Sequence, residues 1–141
     1  MKKTIIISLL ILLFNTSAVM AELPVLNNEA IFTLNSATVQ IDGVSHQIDS
    51  APYLEKDRIF LPFRALGEVL GAEVMWNEVN REATLKLQNG GTLILKTGEI
   101  FINDNGKYKL MDVVPAIVPP GRICLPARYV VESAGYTVIW Q

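Results

Sequence analysis

The sequence predicts an α+β fold that consists mainly of antiparallel β-sheet with two short helices. First, three stretches alternate apolar and polar residues on both sides of a turn pair, as half-buried hairpins do. Second, a nineteen-residue segment occurs twice, at 58–76 and 122–140, with nine identical positions. Third, each copy changes from strand-like alternation to a helical stripe and back. We therefore expect two units of hairpin, strand, short helix and strand, at about 38–88 and 99–141.

The three predicted hairpins each centre on a two-residue turn that favours a left-handed backbone. These pairs are Asp42-Gly43 in residues 38–48, Asn89-Gly90 in residues 83–98 and Asn105-Gly106 in residues 101–112. Asp-Gly and Asn-Gly suit the primed turns whose twist matches that of the flanking strands. Because apolar residues alternate with polar ones, each hairpin should pack on the core by one face.

The repeated segment predicts one short helix in each copy. In the first copy Pro62 suits the first helical position, and Leu66, Val69 and Leu70 form one apolar stripe. Gly71 suits the left-handed residue that follows a helix end. In the second copy the same roles fall to Pro126, Val130, Val131, Ala134 and Gly135. The strand-like stretches "AEVMW" and "YTVIW" follow the two helices.

The N-terminus has the features of a secretory signal peptide. Lys2 and Lys3 precede an apolar run over residues 5–14, and Ala21 is a small residue at a suitable cleavage point. We expect residues 1–21 to be removed and the mature protein, residues 22–141, to be secreted or otherwise extracytoplasmic. An uncleaved membrane anchor is the alternative.

The mature chain carries 10 basic and 14 acidic residues, a net charge of −4, after the loss of the two N-terminal lysines. A nucleic-acid partner would call for a basic stripe, which the sequence lacks. Its charges are also scattered without a run of like sign. The mature chain is therefore predicted to bind neither nucleic acid nor a membrane surface.

The order of the repeated residues resembles the copper amine oxidase N-terminal-like domain, also called a stalk domain. The pattern is N/D-G, an Asp shortly before a Pro, R-I-x-L-P-x-R and E-x-x-G-x-x-V-x-W, and it covers nearly all of the mature chain twice. The resemblance implies a non-catalytic module of secreted bacterial proteins, sometimes beside cell-wall enzymes. The second copy departs from the first after its final tryptophan, where only Gln141 follows.

The residue types give no indication of a metal or another cofactor. Copper or zinc needs three or four ligands of the kind that His and Cys provide. The chain has one of each, His46 and Cys124, so we expect no metal, no cofactor and no inherited oxidase chemistry. Cys124 aligns with the apolar Phe60, which favours a buried small residue over a reactive thiol or an intermolecular bridge.

Arg64 and Arg128 are the most informative charged residues, because both lie in a first helical turn, where the helix dipole disfavours a cation. One interpretation is a partly buried ion pair, with the glutamate one turn later (Glu68 or Glu132) or with Asp49 or Asp112 across the fold. The other is a pocket for a carboxylate or sulfate ligand. Arg58 and Arg122, which begin strands, are expected to be solvated.

Trp76 and Trp140 end the two copies and are the other candidate ligand-binding residues. A tryptophan in an alternating strand usually belongs to the core, with its indole N–H on one acceptor. An exposed one could instead stack on a sugar.

We predict a non-catalytic binding or spacer module at the cell envelope, with a cell-wall polymer or an envelope protein as partner. The alternatives are a small carboxylate-dependent cell-wall hydrolase and a purely structural oligomerising module. The stretch "AIFTL" (30–34) is expected to close the sheet edge beside "YTVIW". Otherwise a strand from another molecule would be added there.

Overall fold

The computed structural model describes residues 22–139, which form twelve strands and two short helices. The strands are antiparallel and make up three sheets. The predicted α+β class is therefore confirmed. Within these residues, neither helix has the length and apolar character needed to cross a bilayer. The predicted signal peptide lies outside the described residues, so its cleavage stays a prediction.

A four-stranded sheet joins the two copies of the repeated segment. Its strands are β4 (Tyr53–Glu55), β5 (Arg58–Pro62), β11 (Ala116–Val118) and β12 (Arg122–Pro126), in the order β11-β12-β5-β4. The two central strands β5 and β12 are antiparallel, with Phe60 opposite Pro126 and Pro62 opposite Cys124. The start of each central strand therefore lies near the end of the other.

Each central strand leads directly into a helix, as the sequence predicts. Helix α1 spans Phe63–Val69 and helix α2 spans Ala127–Ser133, and a proline precedes each of them. Proline is well placed there because its missing N–H is not needed in the first turn. Gly71 and Gly135 follow the helix ends with φ of 71° and 90°, a conformation that glycine adopts without strain.

A five-stranded sheet packs against the helices. Its strands are β6 (Glu73–Asn77), β7 (Glu82–Lys86), β8 (Thr92–Lys96), β9 (Phe101–Asp104) and β10 (Lys107–Leu110), in the order β10-β9-β8-β7-β6. The hairpins predicted around Asn89-Gly90 and Asn105-Gly106 are both present. One face of the sheet packs into the largest core cluster, in which Leu85, Leu93 and Ile102 are fully buried.

The third sheet contains β1 (Ala30–Phe32), β2 (Thr38–Ile41) and β3 (Val44–Gln47), in that order. The β2–β3 hairpin is the one predicted around Asp42-Gly43. Residues 30–34 do not close the sheet as expected, because β1 pairs with β2 on one edge and no described strand pairs with its other edge. Residues 136–139 are not in a strand, so this part of "YTVIW" also differs from the prediction.

The residues after the predicted cleavage site are fixed to the first helix and the first hairpin. Leu23 is buried, and the Leu26 N–H donates to the Val69 carbonyl at 2.9 Å. The Asp42 carboxylate accepts the backbone N–H groups of the next three residues, Asn27, Asn28 and Glu29, at 2.7, 2.7 and 3.0 Å. These bonds, the one from Asn28 first, hold the pKa of Asp42 below its usual value.

Candidate binding site

Arg58 and Asp112 form an ion pair that joins the two predicted units, at about 38–88 and 99–141. Arg58 donates from Nε to Asp112 Oδ1 at 3.1 Å and from Nη2 to Asp112 Oδ2. Tyr129, on α2, donates its O–H to the same carboxylate at 2.9 Å and accepts the Asp112 N–H. The hydrogen bonds from Arg58, then those from Tyr129, keep the pKa of Asp112 below its usual range. Asp112 is therefore held as a carboxylate.

Arg122 and Asp49 form the equivalent pair, in which the arginine comes from the second unit and the aspartate from the first. Arg122 Nε lies 2.9 Å from Asp49 Oδ2. The N–H does not point at this oxygen, so the contact is an ion pair without a hydrogen bond. Ala65 stands at the position that Tyr129 has in the second copy, and Asp49 has no tyrosine partner there.

Arg58 and Arg122 keep the solvent contact that the sequence predicts, since their side chains are 41% and 42% exposed, but each also forms an ion pair that the sequence does not predict. The reason is the register of β5 and β12. Pairing Phe60 with Pro126 brings Arg58 beside the first turn of α2. The long-range aspartate partners that were considered for Arg64 and Arg128 go to these strand arginines instead.

Arg128 makes the short-range pair that the sequence predicts. Its Nη1 donates to Glu132 Oε2 at 3.3 Å, but both side chains are about half exposed. Arg64 has no ion-pair partner within residues 22–139 and lies near Leu23 and Glu68. The partly buried bidentate pair that was expected at these two positions is not observed in that range.

Trp76 lies on the inner face of the five-stranded sheet and packs against the main core while remaining partly exposed. Its indole N–H donates to Glu78 Oε2 at 2.6 Å. This is the arrangement expected of a tryptophan in the core. Trp140 lies outside the described residues, so its part in sugar binding stays a prediction.

Comparison with known protein families shows which family the chain is related to. Residues 40–141 match the copper amine oxidase N-terminal domain. The chain belongs to this family. No curated protein and no solved structure gives a significant match. The family is a non-catalytic module that stands N-terminal in copper amine oxidases.

The described part of this copper amine oxidase N-terminal domain has no cluster of metal ligands and no accessible thiol. Residues 22–139 contain no group of three or more His, Cys, Asp and Glu side chains that could hold a metal ion. Cys124 is fully buried, as expected from its alignment with Phe60, and burial raises the pKa of its thiol to about 11. The thiol is therefore protonated and unreactive at neutral pH.

The β9–β10 hairpin, at one edge of the five-stranded sheet, carries exposed apolar side chains on its outer face. Phe101 and Leu110 lie directly opposite each other on β9 and β10, and they are 46% and 65% exposed. Tyr108 is 71% exposed and meets Phe101 edge to face, with 6.4 Å between ring centres. Sequence analysis missed this surface, because an exposed face of an alternating hairpin cannot be told from its buried face by periodicity alone.

A groove of about 920 Å³ separates β1 from residues 135–139. Leu61, Leu66 and Leu70 form part of its apolar lining. The groove lies where the sequence predicted a closing strand. Whether another molecule adds a strand at this edge remains a prediction.

Replacing Arg128 with alanine should lower the free energy of unfolding by less than about 1 kcal/mol, because exposed ion pairs contribute little. The pair with Glu132 is half exposed, and solvent screens it. Chemical unfolding of the two proteins measures the difference, and Glu132→Ala is the matched control. A loss of more than about 2 kcal/mol would show that Arg128 is held by a buried partner.

Proposed function

We propose that this protein is a non-catalytic binding module that acts outside the cytoplasm, at the cell envelope, and that its five-stranded sheet binds a wall polysaccharide. The outer face with Phe101, Tyr108 and Leu110 is the observation that carries the proposal. Aromatic rings offer large apolar faces, tyrosine adds a polar O–H, and such residues are frequent where a surface meets a partner. A sheet face without walls suits an extended polymer better than a small molecule.

The charged groups support a binding role over hydrolysis. A glycoside hydrolase needs a carboxylic acid whose pKa is raised so that it can donate a proton. The pKa of Asp112, one of the two motif aspartates, is instead lowered by Arg58 and Tyr129. Both motif aspartates are also occupied by arginines. We therefore propose that the protein has no catalytic activity of its own.

The test is retention of the purified protein on insoluble cell-wall material. Tyr108→Ala and Phe101→Ala should each lower the retained fraction by roughly threefold to tenfold, since a ring contact contributes about 0.5–1.5 kcal/mol beyond its buried area. Val79→Ala is the control, because Val79 is 91% exposed in the loop between β6 and β7. Unchanged retention of both aromatic variants would contradict the proposed surface.

The same assay separates the alternatives. Release of soluble sugar from the wall, abolished by one Asp or Glu substitution, would identify the hydrolase. Absence of wall retention together with concentration-dependent light scattering would favour the oligomerising module.

A further inference from the structure

A small cleft opens between the β4–β5 turn and the start of α2, away from the polymer-binding face proposed above. Its volume is about 290 Å³. The lining is mostly apolar and includes Leu54, Ile59, Ala127 and Val138. This volume is close to the lower limit of about 300 Å³ for small-molecule sites. The cleft can therefore hold a short aliphatic chain.

The cleft exists at α2 because the first residue of that helix is small. Ala127 lines the cleft, whereas Phe63 occupies the equivalent first position of α1 and is buried. A phenylalanine at position 127 would fill much of the space. Phe63 also shows that this position of the motif accepts the larger side chain.

Two of the charged groups at the cleft keep spare hydrogen-bonding capacity. Arg58 and Tyr129 line it but are engaged by Asp112. Arg128, which has five N–H donors, uses one of them on Glu132. The carboxylate of Asp57 has no hydrogen bond or ion pair among residues 22–139. Within the described chain, a ligand would therefore meet Asp57 and Arg128 as the least engaged charges, while Arg58 donates three of its five N–H groups, two of them to Asp112.

Asp57 and Arg128 both line the cleft but do not pair with each other within 4.0 Å. A simple anion would gain Arg128 but would also face Asp57 and Glu132. A simple cation would gain Asp57 but would face two arginines. Both side chains are solvent-exposed, so neither charge needs a partner, but a molecule that carries both charges can contact both groups at once.

We propose that this cleft binds a small aliphatic zwitterion, such as a free α-amino acid with a branched aliphatic side chain. Its carboxylate contacts Arg128, where planar guanidinium N–H groups match carboxylate oxygens. Its ammonium group contacts Asp57, and its side chain packs against Leu54, Ile59 and Ala127. The proposal is independent of polysaccharide binding, because the two surfaces share no residue.

The first test uses leucine as the probe and follows backbone amide chemical shifts of the purified protein. Leucine should bind saturably and shift the amides around residues 54–59 and 126–130. N-acetyl-leucine lacks the ammonium group and leucinamide lacks the carboxylate, so each should bind at least about tenfold more weakly, a difference of 1.4 kcal/mol. Equal binding of the three compounds, or no saturable binding of leucine, would overturn the proposal.

The second test uses variants of the lining. Arg128→Gln, Asp57→Asn and Ala127→Phe should each weaken leucine binding at least about tenfold. Arg64→Gln is the matched control, because Arg64 has the same place in α1 but does not line the cleft. Amide dispersion confirms that each variant is folded. If leucine binding survives Arg128→Gln, or if Arg64→Gln removes it equally, the site lies elsewhere. If a variant fails to fold, the comparison of leucine, N-acetyl-leucine and leucinamide still tests the proposal.

Discussion

Replacing Phe60 with alanine should lower the free energy of unfolding by about 3–5 kcal/mol. Phe60 is 0% exposed in the central sheet. It stacks on Tyr53 with 5.1 Å between ring centres and packs in a cluster with Val113 and Cys124. Alanine would leave a cavity that the paired strands β5 and β12 cannot close, so both the lost burial and the cavity contribute.

Chemical unfolding followed by tryptophan fluorescence measures this effect. Phe101→Ala is the matched control, because Phe101 is also on a strand but lies on the exposed outer face. It should cost less than about 1 kcal/mol, as surface substitutions usually do. A loss below about 1 kcal/mol for Phe60→Ala would mean that the ring is not enclosed as the structure shows.

Local patterns were sufficient to predict the hairpins and the helices. Asp42-Gly43 and Asn105-Gly106 form the expected turns. Residue pairs that tolerate a left-handed backbone, placed between alternating apolar and polar residues, strongly favour a two-residue hairpin turn. Pro62 and Gly71 likewise enclose α1, because each restricts or frees its own backbone. These signals depend only on neighbours in sequence, so no tertiary information was needed.

The ion pairs of Arg58 and Arg122 could not be predicted in the same way, because they depend on strands that are distant in sequence. No local signal indicates that β5 pairs with β12 in a register that places Phe60 opposite Pro126. Because of that register, Asp112 forms its ion pair with Arg58 and not with Arg128. The helix-dipole argument drew attention to Arg64 and Arg128, but the two aspartates pair with Arg58 and Arg122 instead.

Gly67 explains why the strand after α1 docks where it does. A methyl group built on Gly67 would overlap Val74 Cγ1, and Val74 Cβ and Leu85 Cδ2 would lie at 3.6 and 3.7 Å from it. The helix and β6 therefore approach as closely as they do only because position 67 lacks a side chain. The equivalent residue in α2 is Val131, and residues 136–139 after that helix are not in a strand. A side chain at position 67 would therefore force Val74 or the helix to shift.

Replacing Gly67 with alanine should consequently lower the free energy of unfolding by about 1–3 kcal/mol, the usual cost of overpacking a core. The higher helix propensity of alanine, about 1 kcal/mol, opposes this loss but does not remove the overlap. Val74 is β-branched and has little rotamer freedom to move aside. The double variant Gly67→Ala with Val74→Ala should therefore be more stable than the two separate losses predict, with a coupling of at least about 0.5 kcal/mol. If Gly67→Ala were neutral or stabilising, or if the two losses were additive, the contact between Gly67 and Val74 would not control the docking of β6.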